Sequence, residues 1–308
     1  MIKFRGAKLI ESEVLFLSEL EQELDIEFSL VTEIGIKTPS ASFMTAYNHV
    51  CWLQCNGVGL TQLPESIANL KWLRELNLDN NYLSELPESI GNLKSLEKLD
   101  IYGSKLKVLP DSICELCSLK DLSLINDKIE ILPESFGALY NLTYLEIFKN
   151  YLRCLPESFG NLKNLRYLGI SDNQLFELPQ SFGNLKNLRY LTIHHNQLSA
   201  FPDSIGNLTN LKRFHANHNK LRSLPESIGN LKRLEELYLY SNELQELPES
   251  IGDLSSLQRL FVGNNRLESV PDTILKLKDL CELSFYGNKL DSSLGVISFP
   301  SDFHKIRK

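Results

Sequence analysis

Ten of the twelve prolines fall on a grid with a spacing of 23 residues, and no insertion or deletion interrupts it. The prolines of the grid are Pro64, Pro87, Pro110, Pro133, Pro156, Pro179, Pro202, Pro225, Pro248 and Pro271. Self-similarity at such a period predicts a solenoid, whose repeats bury their apolar sides only by stacking on their neighbours. We therefore expect the 308 residues to form one elongated array of repeats.

Each repeat carries two short patterns of apolar residues. In the repeat that starts at Pro179, the apolar positions are Phe182, Leu185, Leu188, Leu191, Ile193, Leu198 and Phe201. Leu191 and Ile193 alternate with polar residues, which predicts a short strand with one buried face. Phe182 and Leu185 are three residues apart and follow a proline, which predicts a helical or 3₁₀ turn on the opposite side.

The strand pattern LxxLxLxxNxL resembles that of the leucine-rich repeat family. The Leu-Pro junction is similar to the 23-residue subtype of Ras-group and Ras-suppressor-like proteins. The resemblance implies an α/β repeat solenoid, a right-handed horseshoe with a parallel concave sheet and short turns on its convex side. Eleven repeats occupy 50–290, and Val58, Ser104 and Asp127 replace the signature asparagine in three of them. The asparagine is present at Asn81, Asn150, Asn173, Asn196, Asn219, Asn242, Asn265 and Asn288.

The two ends are predicted to cap the array, because a solenoid otherwise exposes its core there. Residues 1–49 form the N-terminal cap, with an amphipathic helix within 8–25 and a hairpin from Phe43 to Cys55 that leads into the first repeat. The apolar stripe of that helix is Ile10, Val14, Leu17, Leu20 and Leu24. We favour packing of the helix on the first repeat, while a partner-binding or dimerising helix remains the alternative. Residues 291–308 have the composition of a C-terminal cap, and we expect no additional catalytic domain.

Composition excludes several classes of protein. The net charge of −7 argues against a partner such as nucleic acid or an anionic membrane, since both require a basic surface. No apolar run approaches the length of a membrane-spanning helix or a signal peptide, which predicts a cytoplasmic chain with reduced cysteines. Cys114 and Cys117 have CxxC spacing but no second pair, and both occupy ordinary repeat positions. The acidic residue after most grid prolines is interpreted as a solvated ladder at the start of each turn.

Side chains 23 residues apart should form columns across the exposed side of the sheet. Aromatic, histidine and arginine residues concentrate in the columns of the fifth to tenth repeats, and such residues dominate the energetics of protein interfaces. The predicted partner-binding residues are Tyr144, Phe148, Tyr167, Tyr190, His194, His195, Arg213, His215, His218, Tyr238, Tyr240 and Phe261. A purely structural alternative is that the tyrosines stack on one another and that Arg213, Glu236, Arg259 and Glu282 form a self-neutralising ladder.

The chain carries no nucleotide-binding, metalloprotease or hydrolase motif. The sequence therefore predicts a non-enzymatic scaffold or adaptor that requires no cofactor or metal and binds a protein partner as a monomer. Resemblance to Ras-group repeats implies a small GTPase or a signalling enzyme as that partner. One alternative is binding of a carbohydrate or a peptidoglycan fragment. Another is a metal-dependent activity at the histidine cluster, where Asp172, His195 and His218 share a column.

Overall fold

The computed structural model describes residues 1–35 and 37–290, together with the backbone of Lys305–Arg307. The chain divides into two compact units, unit 1 from Met1 to Tyr151 and unit 2 from Leu152 onward. The predicted C-terminal cap at 291–308 lies outside the described residues, except for that short stretch of backbone. Within the described ranges, no helix is long and apolar enough to cross a bilayer.

Unit 1 begins with an antiparallel hairpin and a single α-helix. Strands β1 (Ile2–Phe4) and β2 (Ala7–Leu9) pair with each other, and α1 spans Glu11–Leu24 inside the predicted range. A Ser66 hydroxyl donates a hydrogen bond to Glu19, which ties α1 to the first turn of the repeats. The helix therefore lies against the first repeat, and its role as a cap stays a prediction.

The buried stripe of α1 differs from the predicted one. Phe16 and Glu13 are buried beside Leu17 and Leu20, whereas Val14 is only half-buried. Glu13 is stabilised inside by His49, whose Nδ1 lies 3.1 Å from Oε1, and by the Val50 amide, which donates to Oε2 at 3.3 Å. Burial raises the pKa of the Glu13 carboxyl, and these hydrogen bonds oppose the shift. The predicted stripe counted only apolar residues, so it missed a buried carboxyl group that is hydrogen-bonded inside the protein.

The remaining strands of unit 1 form one sheet. They are β3 (Ser29–Leu30), β4 (Ala41–Ala46), β5 (His49–Cys55), β6 (Glu75–Asn77), β7 (Lys98–Tyr102), β8 (Asp121–Ile125) and β9 (Tyr144–Glu146). The antiparallel β4–β5 hairpin turns at Tyr47 and Asn48, both with positive φ, and occupies the segment predicted from Phe43 to Cys55. From β5 to β9 the strands are parallel, and each pairs with the next at an offset of 23 residues.

Unit 2 contains a purely parallel sheet with the same offset. Its strands are β10 (Tyr167–Gly169), β11 (Tyr190–Thr192), β12 (Arg213–His215), β13 (Glu236–Tyr238), β14 (Arg259–Phe261), β15 (Glu282–Ser284) and β16 (Lys305–Arg307). Tyr167 is paired with Tyr190, and Tyr190 with Arg213. These residues therefore form a column across the strands, as the 23-residue spacing predicted. In each unit the predicted α/β solenoid of parallel strands and short turns is confirmed.

The turns that oppose the strands are all 3₁₀. In unit 1 they span Glu65–Asn69, Glu88–Asn92, Asp111–Glu115 and Phe136–Ala138. In unit 2 they span Glu157–Asn161, Gln180–Asn184, Asp203–Asn207, Glu226–Asn230, Glu249–Asp253 and Asp272–Lys276. The acidic ladder contributes to the stacking of these turns. The Glu226 carboxylate, for example, accepts a hydrogen bond from the Ser250 amide of the next repeat at 3.2 Å.

The signature asparagines hold consecutive repeats together inside the stack. Asn196 Oδ1 accepts a hydrogen bond from the Leu175 amide at 2.9 Å, and its Nδ2 donates to the carbonyls of Ile170 and Ile193 at 3.0 and 3.2 Å. Asp127 takes this position in unit 1 and accepts a hydrogen bond from the Ser104 amide at 2.9 Å, while its Oδ2 has no hydrogen-bond partner in the described part of the chain. Because burial disfavours the carboxylate, the pKa of Asp127 is raised to about 7.

Cys114 marks a second irregularity of unit 1. It occupies the position at which Gly183 stands in unit 2, where an added Cβ would lie 2.2 Å from the Ser204 carbonyl oxygen. The turn that follows Cys114 is shortened to Phe136–Ala138, whereas the other turns have five residues. Cys114 is buried, which raises the pKa of its thiol, while Cys117 is exposed; both thiols are free.

Candidate protein-binding face

The strands of unit 2 carry most of the predicted partner-binding residues on their solvent-facing side. We define the unit 2 face as the exposed side of β10–β15 together with the turn that follows each strand. Its aromatic, histidine and charged members are Tyr167, Asp172, Tyr190, His194, His195, Arg213, His215, His218, Glu236, Tyr238, Tyr240, Arg259, Phe261, Glu282 and Tyr286. Their neighbours on the buried side are leucines and Phe214, which fix the strands from below.

The first column of the face is a charge ladder, as the structural alternative predicted. Glu236 lies at its centre and is only 7% exposed. Its Oε1 lies 3.2 Å from Arg213 Nε and 2.8 Å from an Arg259 guanidinium nitrogen, and Arg259 also reaches Glu282 at 3.4 Å. The Arg213 guanidinium lies over the Tyr190 ring, 5.6 Å from its centroid. The ladder thus orders both arginines and Tyr190 before any partner binds.

The second column is an aromatic stack. His215 and Tyr238 lie parallel with 4.2 Å between ring centroids, and Phe261 meets Tyr238 edge to face at 4.8 Å. Glu236 Oε2 lies 3.6 Å from His215 Nε2, beyond hydrogen-bond distance. Burial lowers the pKa of His215, although Glu236 partly opposes the shift. At neutral pH His215 therefore contributes to the face as an uncharged aromatic ring.

In unit 2, the predicted binding residues His194, His195, His218 and Tyr240 follow the strands and do not lie on them. Asp172, His195 and His218 occupy the left-handed region, with φ of 53°, 52° and 53°. Aspartate, asparagine and histidine tolerate this conformation better than other side chains, and β-branched residues do not. The chain therefore turns sharply here. The sequence predicted that these three residues share a column, but it did not predict their left-handed backbone conformation.

The histidines of this turn region form a compact ring cluster. His195 and His218 stack at 4.2 Å, His194 contacts His195 edge to face at 5.3 Å, and Tyr240 contacts His218 in the same way at 5.2 Å. Burial lowers the pKa of His194 and of His218, and the neighbouring histidines add to the shift. In the described part of the chain, no group of three or more His, Cys, Asp or Glu side chains is placed to hold a metal ion. The stacked rings therefore give no support to the metal-dependent alternative.

Two predicted binding residues lie in unit 1. Tyr144 belongs to β9 and its hydroxyl donates a hydrogen bond to Glu146 at 2.8 Å. Phe148 follows β9, and the Lys149 ammonium lies 5.2 Å from the centroid of its ring. The other ten predicted residues, from Tyr167 to Phe261, all lie on the unit 2 face.

Sequence reasoning missed two arginines at the edge of the face. Arg166 and Arg189 directly precede β10 and β11, and both are exposed. The signal that could have identified them is the dipeptide Arg-Tyr, which occurs at the same position in two consecutive repeats.

Comparison with known proteins agrees with this architecture. Residues 49–155 and 153–244 match the family model described as a leucine-rich repeat region, which covers more than half of the chain. A search of the curated proteins finds no match.

Solved structures give the same result. A leucine-rich repeat protein of Leptospira interrogans is 28% identical with a TM-score of 0.56, over 100% of this chain and 94% of that chain. The plant peptide hormone receptor RGFR1 in complex with RGF2 is 29% identical with a TM-score of 0.61, over 81% of this chain and 47% of that chain. An internalin of Listeria monocytogenes shares the fold, with 24% identity, a TM-score of 0.64, and coverage of 87% and 76%. Proteins with this fold commonly mediate protein–protein interaction, and this chain belongs to the leucine-rich repeat family.

Proposed function

We propose that the chain is a non-enzymatic scaffold that binds a protein partner through the unit 2 face. The observation that carries the proposal is the preordered array on that face, in which the buried Glu236 fixes Arg213 and Arg259, and Arg213 lies over the Tyr190 ring. Tyrosine and arginine side chains held on rigid strands lose little conformational entropy when they bind. The array is open along the strands, which suits a protein surface or segment better than a small molecule.

The finer parts of the proposal rest on resemblance. The Leu-Pro junction and the 23-residue period favour the Ras-suppressor-like subtype, and with it a small GTPase or a signalling enzyme as the partner of a cytoplasmic monomer. A second support comes from a similar protein of 29% identity, the plant peptide hormone receptor RGFR1, which was solved in complex with RGF2. No contact among the described residues favours carbohydrate binding.

Affinity capture from a lysate of the cells that make the protein tests the proposal. The informative variant is Tyr190→Ala/Tyr238→Ala, which removes two aromatic rings from the face. The matched control is Tyr82→Ala/Phe176→Ala, because both residues are exposed aromatics away from the face. We expect wild type and control to retain the same partner and the face variant to lose it. Equal capture by all three proteins would contradict the proposal, provided that circular dichroism shows all three folded.

A further inference from the structure

The N-terminal edge of the unit 2 face carries cationic side chains without a counter-charge. Arg166 and Arg189 are exposed, and among the described residues neither forms an ion pair with a carboxylate. Lys212 occupies the same position before β12 and is paired with Glu235 at 2.7 Å. The two arginines therefore differ from their neighbour in being available to a carboxylate of another molecule.

Backbone hydrogen bonds align these residues on consecutive strands. The amides of Arg189 and Tyr190 both donate to the Arg166 carbonyl, at 2.9 and 3.1 Å. The amides of Lys212 and Arg213 donate to the Arg189 carbonyl in the same way, at 2.8 and 3.2 Å. Neighbouring strands are about 4.8 Å apart, so the cations form a row that runs across the strands beside Tyr190 and Arg213.

The charge ladder adds a partly exposed cation to this row. Glu236 is shared by Arg213 and Arg259, and the Arg259 contact is the shorter, at 2.8 Å against 3.2 Å. Arg259 has a second carboxylate in Glu282, whereas half of the Arg213 side chain is exposed. The ladder is neutral as a whole, and the exposed half of the Arg213 side chain, next to Arg189, stays accessible to a further carboxylate.

The corresponding part of unit 1 has the opposite balance. The seven residues that start just before each of β10, β11 and β12 contain four cations and one carboxylate: Arg166, Arg189, Lys212 and Arg213 against Asp172. The same positions around β6, β7 and β8 contain three cations and five carboxylates: Arg74, Lys98 and Lys120 against Glu75, Asp79, Glu97, Asp100 and Asp121. In a chain of net charge −7, the basic character of β10–β12 is therefore local.

We propose that the β10–β12 part of the unit 2 face binds an acidic, extended segment of a protein partner, whose carboxylates pair with Arg166 and Arg189. This inference rests on the proposed function and names the chemistry of the partner. A guanidinium binds a carboxylate through two parallel hydrogen bonds, which gives orientation as well as attraction. The adjacent tyrosine rings provide apolar contact area for the segment between its charges.

Selection of ligands from a random peptide library displayed on phage tests the inference with the whole chain as bait. We expect the selected peptides to be rich in Asp and Glu. The best peptide, and its counterpart with Gln for Glu and Asn for Asp, are then measured by fluorescence anisotropy against three chains. These are wild type, Arg166→Gln/Arg189→Gln, and the control Arg222→Gln/Arg266→Gln. The control removes the same charge from unit 2 at two arginines that contact Glu243 and follow the strands.

The expected result is a loss of affinity of about tenfold or more for the Arg166→Gln/Arg189→Gln chain and for the neutral peptide, with the control chain within about twofold of wild type. Equal weakening by the control would overturn the inference, because net charge alone would then explain binding. If the selected peptides are neutral or basic and lose binding to the Tyr190→Ala/Tyr238→Ala chain, the inference of an acidic partner would be wrong. The proposed function would still stand in that case. Peptides indifferent to both face variants, or no enrichment of peptides at all, would count against both.

Discussion

The strands β6–β8 of unit 1 and β10–β12 of unit 2 have the same inner surface and different outer surfaces. Leu76, Leu99 and Leu122 are buried in the first group, as Leu168, Leu191 and Phe214 are in the second. Both groups pair in parallel with an offset of 23 residues. The outer side is mainly acidic in the first and basic and aromatic in the second. The inward positions of the repeat therefore set the fold, and the outward positions are free to specify a partner.

The inner surfaces also differ in regularity. Unit 1 contains Ser104 and Asp127 at positions where unit 2 keeps the signature asparagine, and Cys114 at a position where five repeats of unit 2 have glycine. Ser104 and Asp127 each retain a buried side-chain oxygen without a hydrogen bond. Exchanging such residues between the units shows how much each regular position contributes to stability.

The largest effect is expected from Asn196→Asp, which introduces the defect of unit 1 into unit 2. The variant loses the hydrogen bonds from Nδ2 to the carbonyls of Ile170 and Ile193 and buries a carboxylate in their place. We expect the free energy of unfolding to fall by about 4 kcal/mol at neutral pH. Urea unfolding measures this loss, and hydrogen exchange at the Leu175 amide localises it. A loss below about 1 kcal/mol would show that the asparagine ladder contributes little.

Gly183→Cys should have the next largest effect. An added Cβ at Gly183 would lie 2.2 Å from the oxygen and 2.6 Å from the Cβ of Ser204, so the next turn must shift. We expect a destabilisation of about 3 kcal/mol, measured by urea unfolding. The reciprocal change Cys114→Gly should stabilise unit 1 by a smaller amount, with Cys117→Ser as a neutral control at an exposed thiol. If Gly183→Cys lowers the free energy of unfolding no more than Cys117→Ser does, close packing of the turns is not the reason for glycine at position 183.

Asp127→Asn should stabilise the protein above pH 7. The pKa of Asp127 is raised from 3.8 to about 7 by burial, so between these values the unfolded chain releases a proton that the native chain retains. Stability therefore falls as the pH rises from about 4 to 7. The variant lacks this loss, and we expect a gain of at least about 2 kcal/mol above pH 7 that disappears as the pH falls to about 4. Thermal unfolding across that pH range tests it, and the same gain at every pH would be inconsistent with titration of Asp127.

The smallest effect on stability is expected on the outer surface. Tyr190 is 36% exposed and contacts Arg213 through its ring. Tyr190→Ala should lower the free energy of unfolding by less than about 1 kcal/mol, which is the range of an exposed cation–π contact. Urea unfolding measures that change beside partner capture, which should fall. A destabilisation as large as that of Gly183→Cys would mean that the outer columns also hold the fold together.

Several features of the candidate site followed from the sequence. The period placed Tyr190, Arg213 and Glu236 on neighbouring strands, and the structure forms the ladder between them. Three features did not follow: the burial of Glu236 between two guanidiniums, the left-handed backbone at His195, and the lack of a counter-charge at Arg166 among the described residues. The first and third depend on which rotamer a side chain adopts against its neighbour, and the second depends on the backbone dihedral angles of the turn, none of which the repeat pattern specifies.

By itself, the amino-acid sequence determined the repeat, the side of each strand that is buried, and the columns that stand together on the outer side. It determined them because apolar spacing fixes which side chains leave water, and a constant period fixes the register. Only the tertiary structure decided which charged side chains pair with one another. It also decided which groups hydrogen-bond to the Glu13 carboxyl inside unit 1, and which cations of the unit 2 face form no ion pair among the described residues. Those outcomes depend on distances of a few ångströms between residues far apart in the chain, over which electrostatic attraction and desolvation change steeply.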